Sequence, residues 1–394
     1  MEPSPIRVLI VDDAIVVRRM LARLLTEETD MEVVGTAANG RDALAKLAGL
    51  APDLVILDIE MPEMDGLETL QALRRERPRL PVIMFSTLTR RGASATLEAL
   101  ARGASDYVTK PEVAGSVGEA LLGVRQALLP KIRALCARAA PPPPLAPSAP
   151  PPASARPAAA VVTAAPPAVP RRPLASATAA LRGQAPAVLA IGCSTGGPNA
   201  LAALFAELPA GLGVPVLVVQ HMPPVFTRML AERLDGLGAL QVREGVEGAV
   251  LRPGEAWIAP GDHHMTVRRS AADIVLALNR APPENSCRPS VDVLLRSLAE
   301  VYGGRVLAVI LTGMGQDGLL GATRLVEAGA QVLAQDERTS VVWGMPGAVA
   351  RAGLAERVLT LSELATEIVA RCAGGPLRRR PPSAPRHAAE PGPC

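Results

Sequence analysis

Residues 141–173 read PPPPLAPSAPPPASARPAAAVVTAAPPAVPRRP, and 23 of these 33 positions are proline or alanine. Proline has no N–H to give to a helix or a strand ladder and clashes with the preceding turn, so no regular element survives such a run. The stretch predicts a semi-rigid, partly extended linker, taken as residues 139–182. A similar composition from Pro376 onward predicts a disordered tail over 375–394. The folding material is thereby cut into residues 1–138 and 183–374, each of ordinary domain size, about 100–200 residues.

Both portions alternate short β-branched runs with helical patterns. The first holds IRVLIVDD (6–13), MEVVGTA (31–37), PDLVILD (52–58), PVIMFST (81–87) and DYVTK (106–110). Between them lie segments such as AIVVRRMLARLLTE and GLETLQALRRER, whose apolar residues recur near the helical period. Five strands, each followed by a helix, predict a parallel sheet with helices on both faces. The second portion repeats the grammar with AVLAIG (187–192), VPVLVVQ (214–220), AWIAP (256–260), RVLAVILTG (305–313) and QVLAQD (331–336). HMTVRR and DIVLAL add an antiparallel hairpin, and Ser290 is the expected N-cap of the helix VDVLLRSLAEVY. The fold class is α/β in both portions, the second a doubly wound sheet with one antiparallel excursion.

Composition narrows the functional classes. A net charge of +3 from 41 basic and 38 acidic residues gives no basic field for nucleic acid, and two Trp, two Tyr and three Phe leave few platforms for stacking bases. Nor is a basic helix-turn-helix evident. The cysteines at 136, 193, 287, 372 and 394 show no C-x-x-C spacing, so they are expected to be free thiols in a reducing cytosol. The apolar run from Val8 to Val11 is stopped by Asp12 and Asp13, which argues against a signal peptide, and prolines interrupt the alanine-rich run 158–169. The expectation is a cytoplasmic protein without membrane insertion.

In a doubly wound sheet, ligands sit outside the carboxyl ends of the strands. Asp12 and Asp13 end the first expected strand, Asp58 the third, Thr87 the fourth and Lys110 the fifth, so one rim collects all five. Three crowded carboxylates repel unless a cation joins them, which points to a hard divalent ion such as Mg2+. A carboxylate beside Mg2+ and a lysine can attack a phosphoryl group, with Thr87 bonding a phosphate oxygen. This portion resembles the receiver domain of two-component regulators, a flavodoxin-like fold. The resemblance implies that Asp58 is the phospho-acceptor and that Asp12 and Asp13 are the other metal-site acids. It further implies that Tyr107 is the aromatic reporting phosphorylation, that Lys110–Pro111 is a cis-proline step, and that a cognate histidine kinase is the phosphodonor.

In the second portion Gly192-Cys193-Ser194-Thr195-Gly196 satisfies G-x-S-x-G between a strand and a helix, the small residues permitting a sharp turn that lifts the Ser hydroxyl. A phosphate cradle is the rival reading, but Pro198 stands where a Walker lysine would be needed. Of four histidines, His387 lies in the tail, and His263 and His264 precede a strand; His221 follows VPVLVVQ and so shares the rim with Ser194. Asp317, in the loop LTGMGQDG, is the candidate carboxylate to orient the imidazole. The order Ser, His, Asp differs from the Ser, Asp, His of the α/β-hydrolases.

The strings IGCSTGGP, QHMPPVFT, WIAPGDHHM, RPSVDVLL, LTGMGQDG and AQDERTSVVWGMPGAV resemble the catalytic domain of the CheB family of chemotaxis protein-glutamate methylesterases over 187–365. That resemblance implies a triad of Ser194, His221 and Asp317 acting without a cofactor. Its implied substrate is a glutamate γ-methyl ester on a methyl-accepting chemoreceptor, several members also deamidating receptor glutamines. Backbone amides near Thr195 and Met314 are the oxyanion candidates. A receiver fused to a hydrolase is expected to cover the Ser194 rim until Asp58 is phosphorylated. A signalling adaptor with a vestigial triad is the competing reading.

Overall fold

The computed structural model describes residues 4–111, 117–137 and 185–372. The linker and tail expected at 139–182 and 375–394, and His387 with them, lie outside the described residues. In the first portion β1 (Ile6–Val11), β2 (Met31–Ala37), β3 (Leu54–Asp58), β4 (Val82–Ser86) and β5 (Asp106–Thr109) alternate with helices. These are α1 (Ile15–Thr26), α2 (Gly40–Leu50), α3 (Gly66–Glu76), α4 (Arg90–Ala101) and α5 (Val117–Ala137). The strands pair in the order β2-β1-β3-β4-β5, all parallel. Every residue of β3 and β4 is buried, as central strands with helices on both faces require. The helix α3 begins with a reciprocal capping box between Asp65 and Glu68.

The second portion is a seven-stranded parallel sheet with the order β14-β13-β12-β6-β7-β9-β8. Its strands are β6 (Val188–Cys193), β7 (Val216–Gln220), β8 (Gln241–Glu244), β9 (Glu255–Ile258), β12 (Val306–Ile310), β13 (Gln331–Gln335) and β14 (Arg357–Leu359). The expected hairpin is present as β10 (His264–Ser270) against β11 (Asp273–Asn279), a separate antiparallel pair. The helices are α6 (Gly197–Glu207), α7 (Phe226–Asp235), α8 (Val291–Tyr302), α9 (Leu319–Glu327), α10 (Met345–Arg351) and α11 (Leu361–Cys372). The first strand of each sheet lies in its interior, β1 between β2 and β3, β6 between β12 and β7. Such a reversal of strand order opens a crevice at the carboxyl ends.

Two expectations need correction. Ser290 occupies the N-cap position of α8, but its side chain makes no cap hydrogen bond; its hydroxyl donates instead to Asp317 Oδ1 at 2.8 Å. The cis peptide bond among the described residues is Arg288–Pro289, not Lys110–Pro111. Trans remains the intrinsically favoured isomer before proline. No described helix is long and apolar enough to cross a membrane.

Candidate active site

The first rim gathers the acidic cluster as expected. One carboxylate oxygen each from Asp12, Asp13 and Asp58 lies within 4.8 Å of the others. Lys110 Nζ reaches Asp58 Oδ2 at 2.7 Å and Asp12 Oδ2 at 2.8 Å, while buried Asp12 Oδ2 has no directed hydrogen bond among the described residues. Three carboxylates on one rim are the hard oxygen donors that Mg2+ prefers, and Mg2+ usually takes its remaining ligands from water or phosphate, so the cluster fits that ion. Burial pushes the Asp58 carboxyl up to about 6 against the pull of Lys110. The strand β4 ends at buried Ser86, whose hydroxyl is spent on Gly92 O. Thr87 follows it, half-buried, with its hydroxyl 3.2 Å from that of Thr89.

The second rim is built by the turn between β6 and α6. Gly196 has a positive φ of 78°, and a Cβ there would lie 2.5 Å from Val341 Cγ2, so both conformation and space demand glycine. The turn sorts its three side chains. The Cys193 thiol is fully buried on Val219 O, and burial raises it out of the reactive range. The Thr195 hydroxyl donates to Asp106 Oδ2 at 2.7 Å. Ser194, half-buried, has a hydroxyl with no partner among the described residues. Gln220 Nε2 donates to Ser194 O at 3.0 Å and fixes the turn from β7. Neither the Thr195 nor the Met314 backbone N–H is bonded to a protein acceptor among the described residues, leaving both available to an anion.

His221 follows β7 and places Nε2 2.8 Å from Asp317 Oδ2. Asp317 is 2% exposed, and the surrounding donors explain why a charge is tolerated there. Its Oδ1 accepts from Asn285 Nδ2, Ser290 Oγ and the Asp292 and Gly318 amides at 2.8 to 3.1 Å. Its Oδ2 accepts from the Val291 amide at 2.7 Å. Asp317 thus also caps α8, whose N-terminal amides and dipole favour an anion. Burial raises the Asp317 carboxyl, but the His221 bond and the α8 amides outweigh it, and the group lies well below the usual carboxylate range. Burial lowers His221, yet its bonds to Asp317 and to the Cys287 thiol carry it above the ordinary imidazole range.

The structure therefore joins His221 to Asp317 and places Ser194 at the neighbouring strand end, without a Ser194–His221 hydrogen bond. The other described histidines are held elsewhere. His263 Nδ1 lies 3.2 Å from Gly261 O, and its Nε2 accepts from Arg280 Nε. His264 is buried between Pro282 O and the Ser290 amide.

The family model described as CheB methylesterase matches residues 189–368, and that described as response regulator receiver domain matches residues 8–121. A protein-glutamate methylesterase/protein-glutamine glutaminase from a Nocardioides species is 53% identical over 388 residues, spanning 96% of this chain and 98% of that protein. The chain belongs to this methylesterase family. A relative of the same description from Trichodesmium erythraeum is 48% identical, covering 93% of this chain and 98% of its own length. The crystal structure of the Thermotoga maritima CheB methylesterase catalytic domain is 40% identical, with a TM-score of 0.46, over 48% of this chain and 99% of that one.

Within this methylesterase the receiver lies against the Ser194 rim. The Tyr107 ring stacks on Phe226 of α7, centroids 4.8 Å apart and 7° between planes. Asp106, the acceptor for Thr195, is also paired with Lys131 of α5 at 2.9 Å. Asn199 of α6 and Arg233 of α7 donate to the Leu100 and Leu97 carbonyls of α4, both at 2.6 Å. The sequence reading missed Asp106, because its partner lies 89 positions away. It also passed over Cys287 as an ordinary thiol. A Cys next to the Arg-Pro-Ser that opens the α8 helix, facing the loop of the candidate carboxylate, is the signal that could have found it.

Proposed function

We infer that Ser194, His221 and Asp317 form the triad of a phosphorylation-activated esterase acting on glutamate γ-methyl esters of chemoreceptors in the cytoplasm. The observation that carries this is the sorting at the β6–α6 turn: only Ser194 keeps an uncommitted nucleophile, beside an imidazole ordered by a buried, multiply bonded carboxylate. With the Nε2 proton given to Asp317, Nδ1 is the nitrogen that would take the Ser194 proton. Attack on the ester carbonyl forms a tetrahedral oxyanion, which the Thr195 and Met314 amides would meet. Methanol then leaves with the proton from His221, and water hydrolyses the acyl-enzyme by the reverse relay. A receptor glutamine follows the same steps with ammonia leaving, the second activity in the relatives' descriptions. The test is methanol release from methylated receptor membranes, which a signalling adaptor would not produce.

In the receiver, Asp58 is the nucleophile toward a phosphoryl donor such as the cognate kinase's phosphohistidine, and Lys110 offsets charge on the transferred oxygens. Asp12, Asp13 and Asp58 would hold Mg2+, which would supply further electrostatic stabilisation of those oxygens. Thr87, just beyond β4, is the proposed phosphate ligand, and Tyr107, stacked on Phe226, the proposed reporter. Asp58→Asn, which keeps the shape and removes the anion, is expected to abolish uptake of phosphate from acetyl phosphate. Asp13→Ala should weaken Mg2+ binding. Radiolabel incorporated into Asp58→Asn at the wild-type rate would place the acceptor elsewhere.

Phosphorylation draws Lys110 toward the phosphate, one residue beyond β5, and β5 carries the Asp106 and Tyr107 contacts to the esterase. Loss of those contacts would uncover Ser194. Aromatic stacking contributes about 0.5–1.5 kcal/mol beyond burial, so Tyr107→Ala should raise the basal, unphosphorylated rate several-fold and shrink the stimulation by acetyl phosphate. A basal rate equal to wild type, with stimulation unchanged, would remove Tyr107 from the regulatory contact.

A further inference from the structure

The imidazole nitrogen that Ser194 needs already has a partner. Cys287 Sγ lies 3.5 Å from His221 Nδ1, on the side of the ring opposite Asp317. The thiol is not carried by a loose loop. Glu284 and Cys287 exchange both backbone hydrogen bonds, at 3.1 and 2.9 Å. The two residues between them, Asn285 and Ser286, have φ of 52° and 61°. Positive φ at both central positions of a two-residue turn is the geometry of a tight hairpin, here adopted without glycine. Arg296 holds Glu284 by two bonds of 2.6 and 2.5 Å, and Asn285 donates to Asp317 Oδ1 and Asp292 Oδ2. The carboxylate that orders one side of the imidazole thus anchors the turn that presents a thiol to the other side.

We propose that Cys287 is a positioning residue of the esterase whose thiol holds His221 Nδ1 in the resting enzyme, so that the imidazole must exchange Cys287 for Ser194 before ester attack. The proposal rests on the assignment of Ser194 and His221 made above. Cys287 and His221 line one cleft of about 530 Å³ with Tyr107 and Lys131 of the receiver. The exchange therefore takes place where the two domains meet. Besides Asp317 and Cys287, the charged groups along this cleft are Lys131, Asp262 and Arg288, and Asn285 links Asp292 to Asp317.

The test compares full-length wild type, Cys287→Ala, Cys287→Ser and Ser194→Ala in methanol release from methylated receptor membranes across pH. The pH dependence of kcat/KM reports groups of the free enzyme. Removing one modest hydrogen bond should raise the unphosphorylated kcat/KM of Cys287→Ala by about 2- to 10-fold. It should also move the rising limb of the pH profile to lower pH, because a partner that favours the imidazolium is gone. Cys287→Ser, which restores a group able to accept from the Nδ1–H of the imidazolium, should return both readouts toward wild type. A Cys287→Ala profile superimposed on wild type, with Ser194→Ala inactive, would overturn the proposal and leave the serine assignment standing. An active Ser194→Ala with an inactive Cys287→Ala would overturn both, and would make the thiol the nucleophile.

Discussion

Ser194→Ala is expected to lower methanol release by a factor on the order of 10⁶, the loss seen when a triad nucleophile is removed. Residual turnover would come from the oxyanion amides and substrate binding alone. Stability should scarcely change, because the Ser194 hydroxyl has no hydrogen-bond partner among the described residues whose loss could destabilise the fold. Phosphate uptake at Asp58 should also be untouched, since the acidic cluster belongs to a separate sheet. Circular dichroism through thermal unfolding, and labelling by acetyl phosphate, separate loss of chemistry from loss of fold. Near-normal methanol release from a folded Ser194→Ala protein would remove the assignment, and Cys193 could not take over from its buried position.

Asp317→Asn should cost on the order of 10⁴ in turnover. An amide in place of the carboxylate cannot stabilise the imidazolium that forms as Ser194 gives up its proton, and it can present an N–H where His221 Nε2 needs an acceptor. The substitution also reaches the fold. Asp317 accepts from the Val291 and Asp292 amides of α8, so the variant should unfold at lower temperature as well as turn over slowly. The pH dependence of stability follows from the depressed Asp317 carboxyl. Its contribution is complete above the unfolded carboxylate value of about 3.9 and is lost as pH falls toward the folded value. Acid unfolding of wild type should therefore flatten in Asp317→Asn. A variant with wild-type turnover, or one as acid-sensitive as the parent, would separate Asp317 from the site.

The sheets were legible because their central strands are continuous apolar runs bounded by helical patterns. The missed strands β8 and β14 are short edges with exposed positions such as Gln241, Arg243, Arg357 and Val358, and an edge strand half in water carries little apolar pattern. The places of Ser194, His221 and Asp58 were legible, since each sits at or just beyond a strand's carboxyl end, Ser194 also within G-x-S-x-G. Asp317 was found as an acid in a glycine-rich loop, but its second task, capping α8 in place of Ser290, depends on a contact across 25 residues. Tyr107 on Phe226, Thr195 on Asp106 and Cys287 on His221 are likewise long-range pairings. No local propensity encodes them.

The central claim, a serine esterase restrained by its own receiver, is tested most directly by methanol release from methylated receptor membranes by the full-length protein, before and after acetyl phosphate with Mg2+. Asp58→Asn and Ser194→Ala serve as controls. The account predicts a slow basal rate that rises with the phosphodonor, no stimulation in Asp58→Asn, and no release above background from Ser194→Ala. Equal rates with and without phosphodonor in a protein shown to be labelled at Asp58, or undiminished release from Ser194→Ala, would contradict it.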